Sequence, residues 1–69
     1  MMCPRCKQGD VVEARVRSTD AILFVCDECE ATWFTKDAIG HVAFIDFGTY
    51  MRGLGLKPLW DELIVTAPK

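Results

Sequence analysis

The sequence predicts a small α+β fold stapled by a metal, with a three-stranded antiparallel sheet over residues 1–34 and one or two short helices over residues 42–65. Three observations predict it: two C-x-x-C pairs, apolar residues that alternate between the pairs, and an apolar spacing of three to four residues beyond position 42. A chain of 69 residues forms a single domain, 1–69, with a small core, so metal binding would supply part of its folding free energy.

The cysteine pairs are Cys3–Cys6 and Cys26–Cys29, and they use all the cysteines of the chain. The segment between the pairs has the length found in four-cysteine zinc sites. Four thiolates form a closed tetrahedral site, so we expect one structural Zn²⁺, with iron as the main alternative metal. Two disulfides would require an oxidising compartment, and a redox C-x-x-C would require a thioredoxin-like strand and helix.

An alternating pattern predicts the strands. Residues 11–17 place apolar and charged side chains on opposite faces, residues 18–20 form a polar turn, and residues 21–25 are rich in β-formers. We therefore expect a hairpin that carries the chain from the first cysteine pair to the second. Residues 31–34 read as a third strand, and we expect Trp33 in the core.

Helical spacing appears in the C-terminal half. Large apolar residues at 44, 47, 51 and 54 predict a helix over about 44–54, with Asp46 as a cap or first-turn acid and Gly53 or Gly55 at its end. Pro58 fits the first turn of a second short helix, whose apolar side would carry Leu59, Trp60, Leu63 and Ile64. Residues 66–69 are expected to form a frayed tail.

The two cysteine pairs, Cys3-Pro4-Arg5-Cys6 and Cys26-Asp27-Glu28-Cys29, resemble the knuckles of the four-cysteine zinc-ribbon (rubredoxin-like knuckle) family. The resemblance covers residues 3–34 and implies a three-stranded zinc ribbon with the four cysteines as ligands. Lys7 and Glu30 stand where the family has glycine after each knuckle. The layout is also similar to small stand-alone bacterial zinc ribbons, which include immunity and antitoxin-like proteins. The family serves many processes, so the fold alone selects no function.

The composition of the C-terminal half favours a protein–protein interaction module, such as an adaptor or an immunity protein. Aromatic residues, Met and Arg are enriched at interface cores, and the contact candidates are Tyr50, Arg52, Trp60, Asp61 and Glu62. The same apolar residues would alternatively cap the sheet and enlarge its core. A net charge of −2 suits a basic target such as a nuclease toxin, and the apolar segment also allows a homodimer.

Nucleic-acid binding is the alternative function. Arg5, Lys7, Arg15 and Arg17 would contact phosphates, and Phe24 or Trp33 would stack on bases, but the acidic balance of the chain disfavours this.

An enzyme is not expected, because the metal site is closed and no Ser/His/Asp set or phosphate-binding loop is present. His41, the only histidine, is expected at the surface or beside the metal ligands. The chain shows neither a signal-peptide pattern nor a membrane span, so we expect a cytoplasmic protein.

Overall fold

A computed structural model describes the backbone of residues 1–68 and the side chains of residues 1–66. The strands are β1 (Val11–Val16), β2 (Ile22–Cys26), β3 (Ala31–Trp33), β4 (Ile45–Asp46) and β5 (Leu63–Pro68). They form one antiparallel sheet in the order β4-β3-β2-β1-β5, with one helix, α1 (Phe47–Gly53), and two 3₁₀ turns, Lys36–Ala38 and Trp60–Glu62. The sheet is therefore larger than the three strands that the sequence predicts.

The predicted hairpin is confirmed. β1 and β2 pair with Val11 opposite Cys26 and Glu13 opposite Phe24. At the turn, Asp20 adopts a left-handed conformation (φ 61°), and its carboxylate forms an ion pair with Arg15. The hairpin places Cys26 beside the start of β1, close to the first cysteine pair. β3 then adds to β2 as predicted, with Trp33 opposite Phe24.

The second predicted helix is wrong. Trp60–Glu62 makes only a single 3₁₀ turn, and the following residues form β5, which pairs with β1 through Leu63 opposite Val16 and Ile64 opposite Arg15. The run Leu-Ile-Val-Thr is rich in β-branched residues, and pairing satisfies the backbone groups along the edge of β1. The predicted tail at residues 66–69 is corrected as well, since 66–68 belong to β5; Lys69 lies outside the described residues.

Helix α1 is shorter than predicted and begins three residues later. Asp46 is its N-cap, and the carboxylate accepts a hydrogen bond from the Thr49 amide at 3.0 Å. The helix ends in a Schellman motif, in which Gly55 (φ 77°) donates to the Arg52 carbonyl and Leu56 donates to the Met51 carbonyl, each at 3.0 Å. Phe44, predicted inside the helix, lies before it in the connection to β4.

Both faces of the sheet carry a core, because successive side chains of a strand point to opposite sides. The first core lies on the side of the cysteines and contains Cys3, Val11, Phe24, Cys26, Ala31, Trp33 and Ile39. The second core lies under α1 and contains Ala14, Val16, Leu23, Val25, Phe47, Met51 and Leu63. Trp33 is 3% exposed, which confirms its predicted place in the core. Within residues 1–68, no helix has the length and apolar character needed to cross a bilayer.

Candidate metal centre

The four cysteine sulfurs lie together at one end of the sheet, within 4.8 Å of one another. The Cys3 and Cys29 sulfurs are 3.8 Å apart, and the Cys6 and Cys26 sulfurs are 3.6 Å apart. A tetrahedral zinc ion with bonds of about 2.3 Å would separate its sulfur ligands by about 3.8 Å. The arrangement of the four sulfurs therefore fits a metal ion, and the predicted cysteine cluster is confirmed.

Each cysteine pair sits in a knuckle closed by the same backbone hydrogen bond. The Lys7 amide donates to the Cys3 carbonyl at 2.9 Å, and the Glu30 amide donates to the Cys26 carbonyl at 3.1 Å. Lys7 (φ 58°) and Glu30 (φ 61°) are both in the left-handed region, which glycine adopts more easily. Both knuckles thus form the expected tight turn although neither has glycine at this position.

The two knuckles are joined by a reciprocal pair of hydrogen bonds between Asp10 and Asp27. The Asp27 amide donates to the Asp10 carbonyl at 3.0 Å, and the Asp10 amide donates to the Asp27 carboxylate at 2.9 Å. Gly9 allows this approach, since a Cβ there would lie 2.7 Å from Asp27 Oδ1 and from Glu28 Cβ. These three residues were not predicted as part of the site; the glycine just before β1 was the available signal.

Hydrogen bonds lower the pKa of one cysteine thiol, and burial raises the pKa of another. The backbone amides of Gln8 and Gly9 lower the pKa of Cys6 to about 6, because they stabilise the thiolate, which is the form that binds a metal. Burial raises the pKa of Cys26 to about 12. Amides of Glu28 and Cys29 lie 3.4 Å from the Cys26 sulfur and oppose this effect. The charge of a bound cation would favour the Cys26 thiolate further.

The predicted contact residues lie away from the cysteines, around the second core. Tyr50 and Trp60 are half-buried against that core, while Arg52 and Asp61 are exposed. The Tyr50 ring contacts Phe34 (centroids 5.1 Å apart), and the Trp60 ring contacts Phe47 (5.9 Å).

Two backbone carbonyls of the 3₁₀ turn accept hydrogen bonds from Arg17. Asp61 accepts from the Arg17 guanidinium, and Glu62 accepts from the Arg17 amide, both at 2.9 Å. Arg17 therefore fastens the 3₁₀ turn to the end of β1.

Residues proposed for nucleic-acid contact are largely engaged within the protein. Phe24 and Trp33 are 7% and 3% exposed, so neither ring is available to stack on a base. Arg15 pairs with Asp20, and Arg17 bonds the Asp61 carbonyl. His41 is exposed and is not part of the cysteine cluster.

Four sulfurs on one divalent ion would complete a tetrahedral site with no open position. Such a centre stabilises a fold, or transfers electrons when the metal is iron, but it activates no water. Compared with family models, with curated proteins and with solved structures, the chain matches none of them.

Proposed function

We propose that the four cysteines hold one structural Zn²⁺ and that the chain acts as a protein–protein interaction module. The donor set supports the metal assignment, since four thiolates in tetrahedral arrangement favour zinc or iron, and zinc is the usual ion of structural sites. Because its coordination is closed, the metal would stabilise the fold and would not contact a ligand. The protein surface would then provide the binding function.

A partly exposed apolar surface at α1 carries the proposal. Phe34 is 47% exposed and contacts Tyr50, and Leu54, 41% exposed, lies one helical turn beyond Tyr50. We call these three residues the Phe34 surface. Large apolar groups left in water are typical of a docking site.

Charge favours a partner with a basic surface. The chain has a net charge of −2, and four thiolates on one Zn²⁺ add about −2 more. Asp27 and Glu28 are exposed beside the cysteines, and Asp61 is exposed on the 3₁₀ turn. Complementary charge would speed association and select basic proteins, such as the nuclease target of an immunity protein.

Nucleic-acid binding has less support. The two aromatic rings suited to stacking are buried, and two of the cations are engaged within the chain. The acidic balance opposes contact with phosphates at physiological salt.

Site-specific photocrosslinking in the native host tests the interaction. Benzoylphenylalanine at position 34 should give a protein adduct, and at the exposed position 36 it should give none. Leu54→Lys should abolish the adduct, whereas Leu59→Lys, the same change at an exposed leucine outside the Phe34 surface, should preserve it.

Adducts to RNA or DNA, or equal adducts from positions 34 and 36, would contradict the proposal. Native mass spectrometry of the untagged protein tests the metal separately. One zinc ion per chain is expected, and iron would instead indicate electron transfer.

A further inference from the structure

A cleft of about 200 Å³ lies between the first knuckle and the segment that joins β3 to β4. Its apolar lining includes Pro4, Trp33, Val42 and Phe44. Arg5 is the one charged side chain among its lining residues. The cleft lies on the side of the first core, since Trp33 belongs to that core.

Two contacts shape the cleft. Gly40 (φ 80°) brings the connecting segment against the first knuckle, since a Cβ there would lie 3.1 Å from Pro4 Cγ. The indole N–H of Trp33 donates to the Val42 carbonyl at 2.9 Å and fixes the far wall. This bond also occupies the only hydrogen-bond donor of the Trp33 side chain. Arg5 is therefore left as the side-chain donor of the cleft.

Arg5 stacks on an aromatic ring, and no acidic side chain within residues 1–66 pairs with it. Its guanidinium carbon lies 4.4 Å from the centroid of the Phe44 ring. Among the described side chains, those of residues 1–66, the one ion pair joins Arg15 and Asp20, so no carboxylate there neutralises Arg5. Stacking occupies a face of the guanidinium and leaves its N–H edge available, and that edge matches a carboxylate in bidentate geometry.

We propose that this cleft binds a small ligand in which a carboxylate is attached to an apolar group, such as the C-terminal residue of a peptide ending in leucine. Arg5 would hold the carboxylate, and the exposed side chains of Pro4, Val42 and Phe44 would cover the apolar group. The volume is below the range of about 300–1,000 Å³ found for drug-sized ligands, so the cleft suits a single side chain. The site is separate from the Phe34 surface.

NMR titration of the ¹⁵N-labelled, zinc-loaded protein with N-acetyl-leucine tests the site. Saturable shifts are expected for the indole N–H of Trp33 and none for that of Trp60, which packs in the other core. N-acetyl-leucinamide lacks the carboxylate and should bind about tenfold more weakly. Arg5→Gln should weaken the binding of N-acetyl-leucine by a similar factor. Lys7→Gln removes an exposed charge from the same knuckle and should change affinity by less than about twofold.

Equal binding of N-acetyl-leucinamide would overturn the role of Arg5, and equal binding of acetate would overturn the role of the apolar walls. Shifts of both tryptophan signals would indicate non-specific association and also contradict the site. Tighter binding of adenosine monophosphate than of N-acetyl-leucine would assign the cleft to phosphate and refute the proposed ligand.

Discussion

The carboxylate of Glu30 accepts a hydrogen bond from the indole N–H of Trp60 at 2.9 Å, and this bond joins the second knuckle to the C-terminal 3₁₀ turn. The backbone of Glu30 is engaged as well. Its amide closes the knuckle onto Cys26, and its carbonyl accepts from the Phe47 amide at 3.0 Å, at the start of α1. One residue next to a cysteine thus contacts both elements that cover the second core.

Metal removal should therefore change the packing of Trp60 as well as the structure of the knuckles. We expect chelation to unfold the N-terminal half and to abolish the near-UV circular dichroism of both tryptophans, because the second knuckle anchors Glu30. Trp33→Phe and Trp60→Phe variants would assign each signal. A spectrum that strong chelation leaves unchanged would show that the fold does not depend on the metal.

Loss of the Glu30 carboxylate should destabilise the metal-loaded protein by about 1–2 kcal/mol, since the Trp60 donor would lose a charged acceptor. Urea unfolding of Glu30→Ala would measure this. Glu30→Gln retains an acceptor oxygen, so its free energy of unfolding should fall by less than that of Glu30→Ala. Trp60→Phe should make the additional cost of Glu30→Ala much smaller, and additive effects of the two changes would argue against a direct bond.

Replacing Lys7 by glycine should stabilise the protein by roughly 1 kcal/mol, because glycine adopts a positive φ without a steric penalty. Lys7→Ala provides the matched control, since it removes the same charge but keeps the Cβ. Thermal unfolding of the zinc-loaded proteins would compare them. A similar gain from both substitutions would assign the effect to charge rather than to backbone conformation.

Gly9→Ala should weaken metal retention, because its Cβ would collide with Asp27 and Glu28 and force the two knuckles apart. Gly53→Ala is the matched control, since a Cβ there meets nothing within 4 Å. The rate of zinc transfer to a chromogenic chelator should rise at least about tenfold for Gly9→Ala and stay unchanged for Gly53→Ala. Equal rates would exclude knuckle spacing as a determinant of metal retention.

Acid should release the metal. A bound cation requires thiolates and keeps their pKa values low, so the stabilisation is present at neutral pH and is lost as protons compete at lower pH. Burial raises the metal-free pKa of Cys26 to about 12, so its sulfur regains a proton readily once the metal leaves. Chelator-detected zinc should increase from about pH 7.5 to about pH 4.5. Constant retention across this range would contradict thiolate ligation.

Local signals predicted the parts of the fold that depend on neighbouring residues. The cysteine spacing, the β1–β2 hairpin and the Asp46 cap are all of this kind. β5 escaped prediction because the spacing of Trp60, Leu63 and Ile64 also fits a helix, and the deciding factor is the edge of β1, which is distant in sequence. The Glu30–Trp60 bond depends on that same packing, so residue type alone gave no sign of it.

Strand β5 pairs with a strand that is distant in sequence. Val16 and Leu63 are partners in the sheet although most of the chain separates them, so this pairing carries a large loop-closure entropy. The four clustered cysteines, by contrast, all lie within residues 3–29. During synthesis, all four cysteines would therefore be available to a metal ion before the last strand is made.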